Sequence, residues 1–223
     1  MSTAIIIPTL DEIDGVTHIL PQVKKQWAKT FVIVDGGSTD GTVEKAKELG
    51  FDVIHQHNKG EGNAYRIGVD ATESDFVMFF SPDGNDRPDN IQKLIQKVEE
   101  GHDVVHITRF GKNGRSEDAG WLDTFGNLMF TFLVNTFFGA VYTDCEYGFR
   151  IIRRKVWNDL KTDAQFLNAE QQITIRLAKR KIPIYEIGGI EPRRIGGQRK
   201  VRPLIVGAQL SYQIIKEFIF WNR

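Results

Sequence analysis

The sequence predicts an α/β fold with a mostly parallel, helix-flanked central sheet, and two observations carry that expectation. Over roughly the first hundred residues, short β-branched runs alternate with amphipathic stretches, the pattern of strands joined by crossover helices. DFVMFF at 75–80 is nearly all apolar, as a strand covered on both faces must be, which puts it at the sheet centre. With 223 residues, 41% of them hydrophobic, one domain spanning 1–223 can bury its own core.

The elements follow in order. AIIIP at 4–8 reads as the first strand. Val16, Ile19, Leu20, Val23 and Trp27 then line one helical face, with Pro21 set to kink or restart the helix. FVIVD at 31–35 is a second strand, followed by a helix over 42–49 with Asp40 as cap and Gly50 as stop. DVIH at 52–55 is a third strand, and NKGEGNA at 58–64 leads into a helix ending near Ala71. Pro88 opens a helix whose Ile91, Leu94, Ile95 and Val98 share a face, and DVVHI at 103–107 is a further strand. Beyond 108 the alternation fades. A Gly-rich segment at 109–120, an apolar helix at 125–138, a strand at 149–154, a helix at 168–180, a strand at 182–188, a basic loop and an amphipathic tail at 203–221 are expected.

Composition excludes several functions. Lys and Arg together number 29, as do Asp and Glu, so the basic excess typical of general nucleic-acid binding is absent. The lone Cys145 can form no internal disulfide and no cysteine zinc cluster, and the N-terminal residues lack the pattern of a secretory signal, so a cytoplasmic protein is expected. The most apolar stretch, 128–142, is short for a bilayer span and contains Asn135. The histidines have no metal-ligand spacing.

Ligands of open parallel sheets bind outside the carboxyl ends of the strands, where two carboxylates stand out. Asp35 closes FVIVD and opens DGGSTDGT; it is either a turn residue or an acceptor for nucleobase N–H or ribose hydroxyl groups. The segment has neither the Lys of a P-loop nor the spacing of a dinucleotide fingerprint. Asp83 follows FVMFF within SPDGND and is either a tight-turn residue or, with Asn85 or Asp86, an oxygen ligand for Mg²⁺ or Mn²⁺.

These pieces in this order resemble family 2 inverting glycosyltransferases of the GT-A fold, most closely the dolichyl-phosphate mannose synthase branch. IIIPTLDE at 5–12 resembles the opening strand and PxxNE-type motif, VIVDGGSTDGT at 32–42 the VVDDGSTDGT element, NKGEGNAYRIG at 58–68 the GKGxAxxxG element, and SPDGN at 81–85 the DxD metal motif. TRF at 108–110, FGN at 125–127, TDCEYGFR at 143–150 and RRIGGQRK at 193–200 resemble the branch's later motifs. The resemblance implies that residues 1–108 bind a nucleotide sugar and 109–223 its acceptor. It implies that Pro8, Thr9, Glu12 and Asp35 hold the nucleoside, Asp83 and Asn85 the metal, and Arg109, Arg194 and Lys200 the phosphates. Lys59 and Arg150 complete the expected substrate-binding set, and Asp83, Arg109, Arg194 and Lys200 the catalytic one. Two positions depart from the family pattern: Ser81 replaces the first Asp of DxD, and Gly36 the second Asp of DDGS. The metal is then expected to lean on Asp83, Asn85 and the donor diphosphate, with Asp86 as a compensating ligand.

The implied activity is metal-assisted, inverting sugar transfer from a nucleoside diphosphate sugar, in this branch to a polyprenyl phosphate. A phosphate monoester already carries an anionic oxygen near neutral pH and needs no base. A saccharide hydroxyl would need one, for which Asp144 and Glu170 are the candidates. A non-catalytic nucleotide-sugar or membrane-surface module is the third alternative, suggested by Ser81 and Gly36. A lipid acceptor predicts apolar surface at the bilayer: Phe130, Leu133, Val134, Phe137 and Phe138 follow helical spacing, as do Leu204, Ile205, Ala208, Tyr212, Ile215, Ile219 and Phe220. Core packing is the competing explanation for both stripes, and a peripheral position on the cytoplasmic membrane face is the expectation if it fails.

Overall fold

The structure is a computed structural model describing residues 1–196 and 203–220. The first strand, β1 (Thr3–Thr9), pairs in parallel with β2 (Thr30–Asp35) and, on its other side, with β4 (Phe76–Phe79); β3 (Asp52–His55) extends the sheet beyond β2. The sheet continues through β7 (Arg150–Arg153), β5 (Val104–Thr108) and β8 (Tyr185–Gly188), giving the order β3-β2-β1-β4-β7-β5-β8. Only β7 runs antiparallel within it. A short ribbon joins β6 (Arg115–Ser116) to β9 (Ile190–Glu191).

Side-chain alternation explains the two faces of the sheet. Ile5, Ile7 and Ile33 pack with Val16 and Leu20 from α1 (Ile13–His18) and its continuation, and with Ile91, Leu94 and Val98 from α4 (Asp89–Glu99). Ile6, Val32 and Val34 pack on the opposite face against α3 (Glu61–Asp70), α6 (Arg154–Leu160) and α7 (Asn168–Lys179). The helix α2 (Thr42–Glu48) follows β2. A third cluster joins α5 (Trp121–Phe138), α7 and α8 (Pro203–Ile219) through Phe130, Val134, Ile175, Leu210 and Ile214. A buried polar clasp reinforces it: Arg176 donates to Glu217 at 2.7 Å and Lys179 donates to the same carboxylate at 2.9 Å.

The strands and their order along the chain follow the sequence reading, with β4 at the centre, but several elements differ. The helix expected over 16–27 ends at His18, and two single 3₁₀ turns, Leu20–Gln22 and Lys25–Trp27, replace its remainder. Pro21 restarts the chain as a 3₁₀ turn, while Val16, Ile19, Leu20 and Val23 are buried as expected. The helix α5 begins at Trp121 rather than 125, the strand expected at 182–188 begins at Tyr185, and α6 was not foreseen. Among the described residues no helix is long and apolar enough to cross a membrane.

This topology sends the carboxyl ends of β1, β2, β4, β5 and β8 and the amino end of β7 to one rim. At that rim α1 approaches the turn after β4 so closely that a Cβ on Gly15 would lie 2.2 Å from the Pro82 carbonyl oxygen. Gly15→Ala is therefore expected to lower stability by about 1–3 kcal/mol through overpacking. Gly126→Ala, with no atom within 4 Å of the added methyl, is the matched control and should be neutral or stabilising in urea denaturation.

Candidate active site

At the carboxyl end of β2, Asp35 is almost wholly buried. Its Oδ1 accepts from the hydroxyls of Thr9 (3.2 Å) and Ser38, and its Oδ2 from the backbone N–H groups of Gly37 (2.8 Å) and Ser38 (3.0 Å). Burial opposes ionisation, but these hydrogen bonds prevail and hold the carboxyl below its usual range. All four acceptor sites are engaged, so Asp35 is here the organiser of its own turn; a nucleoside reaching it has to displace the Thr9 or Ser38 hydroxyl. The adjoining loops are knitted together: Thr39 N donates to Asp11 Oδ1, Ile13 N to Asp40 Oδ2, and Glu12 N to the Thr42 hydroxyl. Asp40 also accepts from Thr42 N at 3.0 Å, but the cap position of α2 is Gly41, which makes no side-chain cap hydrogen bond, so the cap lies one residue later than expected. Pro8 and Thr9 lie in register with Val34 and Asp35, and Lys59 is exposed ahead of α3.

The turn after β4 presents Asp83. Its Oδ1 accepts from Asn85 N at 3.0 Å and its Oδ2 from Arg194 at 2.6 Å, while the other arm of Arg194 reaches Glu12 at 3.0 Å. The segment carrying Arg194 is strapped over the turn, with Ile195 N donating to the Asp83 carbonyl and Asn85 Nδ2 to the Pro192 carbonyl. Asp86, the expected compensating ligand, is buried, and its carboxylate accepts from Ser81 N at 2.7 Å. Burial and the nearby charge of Asp83 push the Asp86 carboxyl well above its usual range.

Among the described residues no three His, Cys, Asp or Glu side chains converge as metal ligands. Asp83 still fits a divalent cation that arrives on a diphosphate, because Mg²⁺ is commonly held by one or two carboxylates plus substrate phosphates. Arg194 would first have to release Oδ2. Lys200, together with Arg199 and Arg202 of the basic loop, lies outside the described residues.

Beyond β5, Arg109 is committed to carboxylates. It donates to Asp144 at 2.7 and 3.1 Å and to Glu191 at 3.2 Å, and its guanidinium lies 4.6 Å from the Tyr147 ring centroid. Asp144, also bonded by Asn127 of α5 at 2.9 Å, anchors that helix. Burial acts against its ionisation, yet Arg109 and Asn127 bring its pKa down to about 2. Glu170 pairs with Arg150 at 2.8 Å and accepts from the Tyr65 hydroxyl. Arg150 has no exposed surface, and it also donates to the Tyr147 carbonyl and the Thr174 hydroxyl. Arg150 thus stands inside the molecule as a strut, apart from the rim where it was expected to meet substrate. Asp144 is engaged at both oxygens, whereas Glu170 Oε2 is buried with the Arg150 ion pair but no hydrogen-bond partner. His106 is buried, which depresses its pKa to about 3 and leaves it neutral.

The sequence reading missed two acidic residues. Glu61, at the start of α3, has Oε2 buried without a partner, and burial, the Glu170 charge and Asp83 push its carboxyl up. Glu146 lines a cavity of about 480 Å³ between α5 and α8, whose walls include Phe110, Leu122, Phe130, Leu204 and Leu210 and whose polar lining includes Arg109. The one available signal was a second acid two residues after Asp144 in TDCEYGFR. A separate cavity of about 780 Å³ lies at the amino ends of the strands, beside Thr3 and Gln96, and touches none of these residues.

Residues 4–161 match the family described as glycosyl transferase family 2. The chain belongs to this family. As a family 2 glycosyltransferase it is 29% identical over 215 residues to the dolichyl-phosphate hexose transferase of Haloferax volcanii, covering 96% of this chain and 92% of that one. It is 26% identical over 182 residues to glycosyltransferase AglJ of the same organism, a match covering 81% of this chain but only 60% of that relative's length. A crystal structure of glucosyl-3-phosphoglycerate synthase from Mycobacterium tuberculosis, in complex with Mn²⁺, uridine-diphosphate-glucose and phosphoglyceric acid, is similar with a TM-score of 0.75 at 20% identity. That match covers 97% of this chain and 79% of the synthase, and it confirms the GT-A fold.

The depressed pKa of Asp144 gives a signed prediction. Its stabilising contribution is present above the unfolded value near 4 and is lost as pH falls through about 2. Asp144→Asn should destabilise the glycosyltransferase by roughly 3 kcal/mol at neutral pH, since it leaves Arg109 short of a buried partner. The gap from the parent should close in denaturation curves taken from pH 5 down to pH 2.

Proposed function

We propose that this glycosyltransferase moves a sugar, with inversion, from a nucleoside diphosphate sugar to a polyprenyl phosphate at a membrane surface. In this reading residues 1–108 bind the donor, with Pro8, Thr9, Glu12, Asp35 and Lys59 around the nucleotide. Asp83 and Asn85 hold Mg²⁺ or Mn²⁺, which when bound neutralises the departing diphosphate. Arg194 exchanges Asp83 for phosphate oxygens, and Lys200 joins it on the phosphates. Arg109, already shared between two carboxylates, acts by fixing the acceptor side next to the donor turn. The acceptor's phosphate oxygen attacks the anomeric carbon from the face opposite the diphosphate, and no base is required of Asp144 or Glu170. The engagement of Asp144 by Arg109 and Asn127, and the ion pair of Glu170 with the buried Arg150, weigh against a saccharide hydroxyl acceptor that depends on either of them.

The observation that carries the reading is the apolar surface on residues 109–223. The tail stripe is outward-facing: Leu204 is 91% exposed, and Ile205, Tyr212, Ile215, Ile219 and Phe220 are all half exposed or more. Trp121, 83% exposed, with Phe125 and Phe132 extends this surface along α5, and Phe137 and Phe218 meet edge to face between the two helices. Of the earlier stripe, Phe130, Val134 and Phe138 serve the core instead. So large an apolar face suits an interfacial position on the cytoplasmic membrane leaflet, with the adjacent cavity receiving the prenyl chain. The name of the Haloferax dolichyl-phosphate relative supports the same acceptor class.

Two outcomes are expected. Thermal shifts with UDP, GDP or dTDP should grow when Mn²⁺ is added, because native-state ligands raise apparent stability, and Asp83→Ala should remove that increment and lower transfer at least about 100-fold. Unchanged transfer in Asp83→Ala would overturn the metal assignment. In vesicle sedimentation, Ile215→Glu with Ile219→Glu should release most of the protein from the lipid pellet while leaving the nucleotide-induced shift intact.

A further inference from the structure

The acceptor cavity contains an electrostatic problem that its lining residues define. Arg109 is the cation in that lining, and it is already divided between Asp144 and Glu191. Glu146 faces the same space and its Oε1 is buried with no hydrogen-bond partner, a costly arrangement that a bound group would relieve. The segment that carries it is held against the donor turn, since the Tyr147 hydroxyl donates to the Asn85 carbonyl at 3.0 Å. An occupant that fills the cavity with its hydrocarbon therefore brings its polar head to Glu146, one residue from the wall of the donor site.

We infer that Glu146 is the acceptor-recognition residue of this cavity, donating a hydrogen bond as a neutral carboxyl to the anionic phosphate head of the bound lipid. The inference rests on the proposed transfer to a polyprenyl phosphate and adds the condition under which that acceptor binds. An ionised Glu146 would set a further negative charge against the phosphate beside Asp144, whereas the neutral acid adds a donor to those left on Arg109, three of whose five N–H groups are taken by Asp144 and Glu191. The surroundings keep a large neutral fraction at pH 7, about half, because burial and the Asp144 charge raise the Glu146 pKa to about 7 against the opposing pull of Arg109. From α5 the cavity also receives Asp123 and Asn127. From α8 it receives Pro203, Leu204, Val206, Gly207, Leu210 and Ser211, none of them titratable, and from the loop before α7 it receives Leu167.

Direct binding separates this inference from the activity on which it rests. Farnesyl phosphate and farnesol serve as probes in titration calorimetry on the full chain between pH 7 and pH 9, where the phosphate stays dianionic. The parent protein should lose farnesyl phosphate affinity about tenfold per pH unit above pH 7, and should bind farnesol more weakly. Glu146→Gln, a permanent neutral donor of the same shape, should bind farnesyl phosphate with a flat pH profile. Glu146→Ala should bind it poorly throughout, while the UDP or GDP shift is unchanged in both variants. A flat parent profile, a Glu146→Gln profile parallel to the parent's, equal affinity for farnesol or no binding of either probe would each overturn the inference. The expected binding pattern without sugar transfer would instead sink the transferase reading and leave the role of Glu146 standing.

Discussion

The buried ion pair between Arg109 and Asp144 is the interaction on which the second half of the fold depends. It joins four segments that are distant in sequence: the end of β5, the loop before β7, α5 through Asn127, and β9 through Glu191. Two charges in a nearly dry environment are stable only with each other and with further hydrogen bonds, so these segments must arrive together or not at all. Tyr147 packs beneath the guanidinium and reaches Asn85, which carries the same constraint to the donor turn. The apolar cavity and the rim that carries Asp83 are thereby held as neighbours, although the chain builds them from different halves.

Much of this was legible in the sequence, for local reasons. AIIIP, FVIVD and FVMFF announce strands because β-branched and aromatic runs bounded by turn residues have few alternatives. The rim positions of Asp35 and Asp83 and the exposed tail stripe were legible because topology places strand ends at a rim and because period alone marks a helical face. What escaped depends on partners. The antiparallel course of β7 is set by which strands flank it, and an apolar run such as FRIIR does not encode that. Arg150 looks like a substrate ligand until Glu170 and Thr174 surround it, and Asp35 looks available until Thr9 and Ser38 occupy it. Glu146 was passed over because its neighbours were unknown, and its neighbours make its chemistry.

Arg194 shows how one cation can serve two charge states of a site. Before a donor binds, it compensates both Glu12 and Asp83, whose like charges would otherwise repel across the rim. In the proposed function a diphosphate with its divalent ion brings charges of both signs and takes over each half of that arrangement, leaving the net local charge unchanged. Ser81, neutral where the family pattern has an acid, reduces the negative charge that Arg194 must offset.

The insertion of β7 between β4 and β5 has a consequence for synthesis on the ribosome. β4 emerges with its free edge bared, and its permanent neighbour is not translated until Arg153. During that interval the nascent chain displays an apolar strand with unpaired amides, the kind of surface that chaperones shield and that neighbouring polypeptides can capture. The last piece of the sheet's middle thus arrives after both of its flanks, and productive maturation is a race between that closure and promiscuous association.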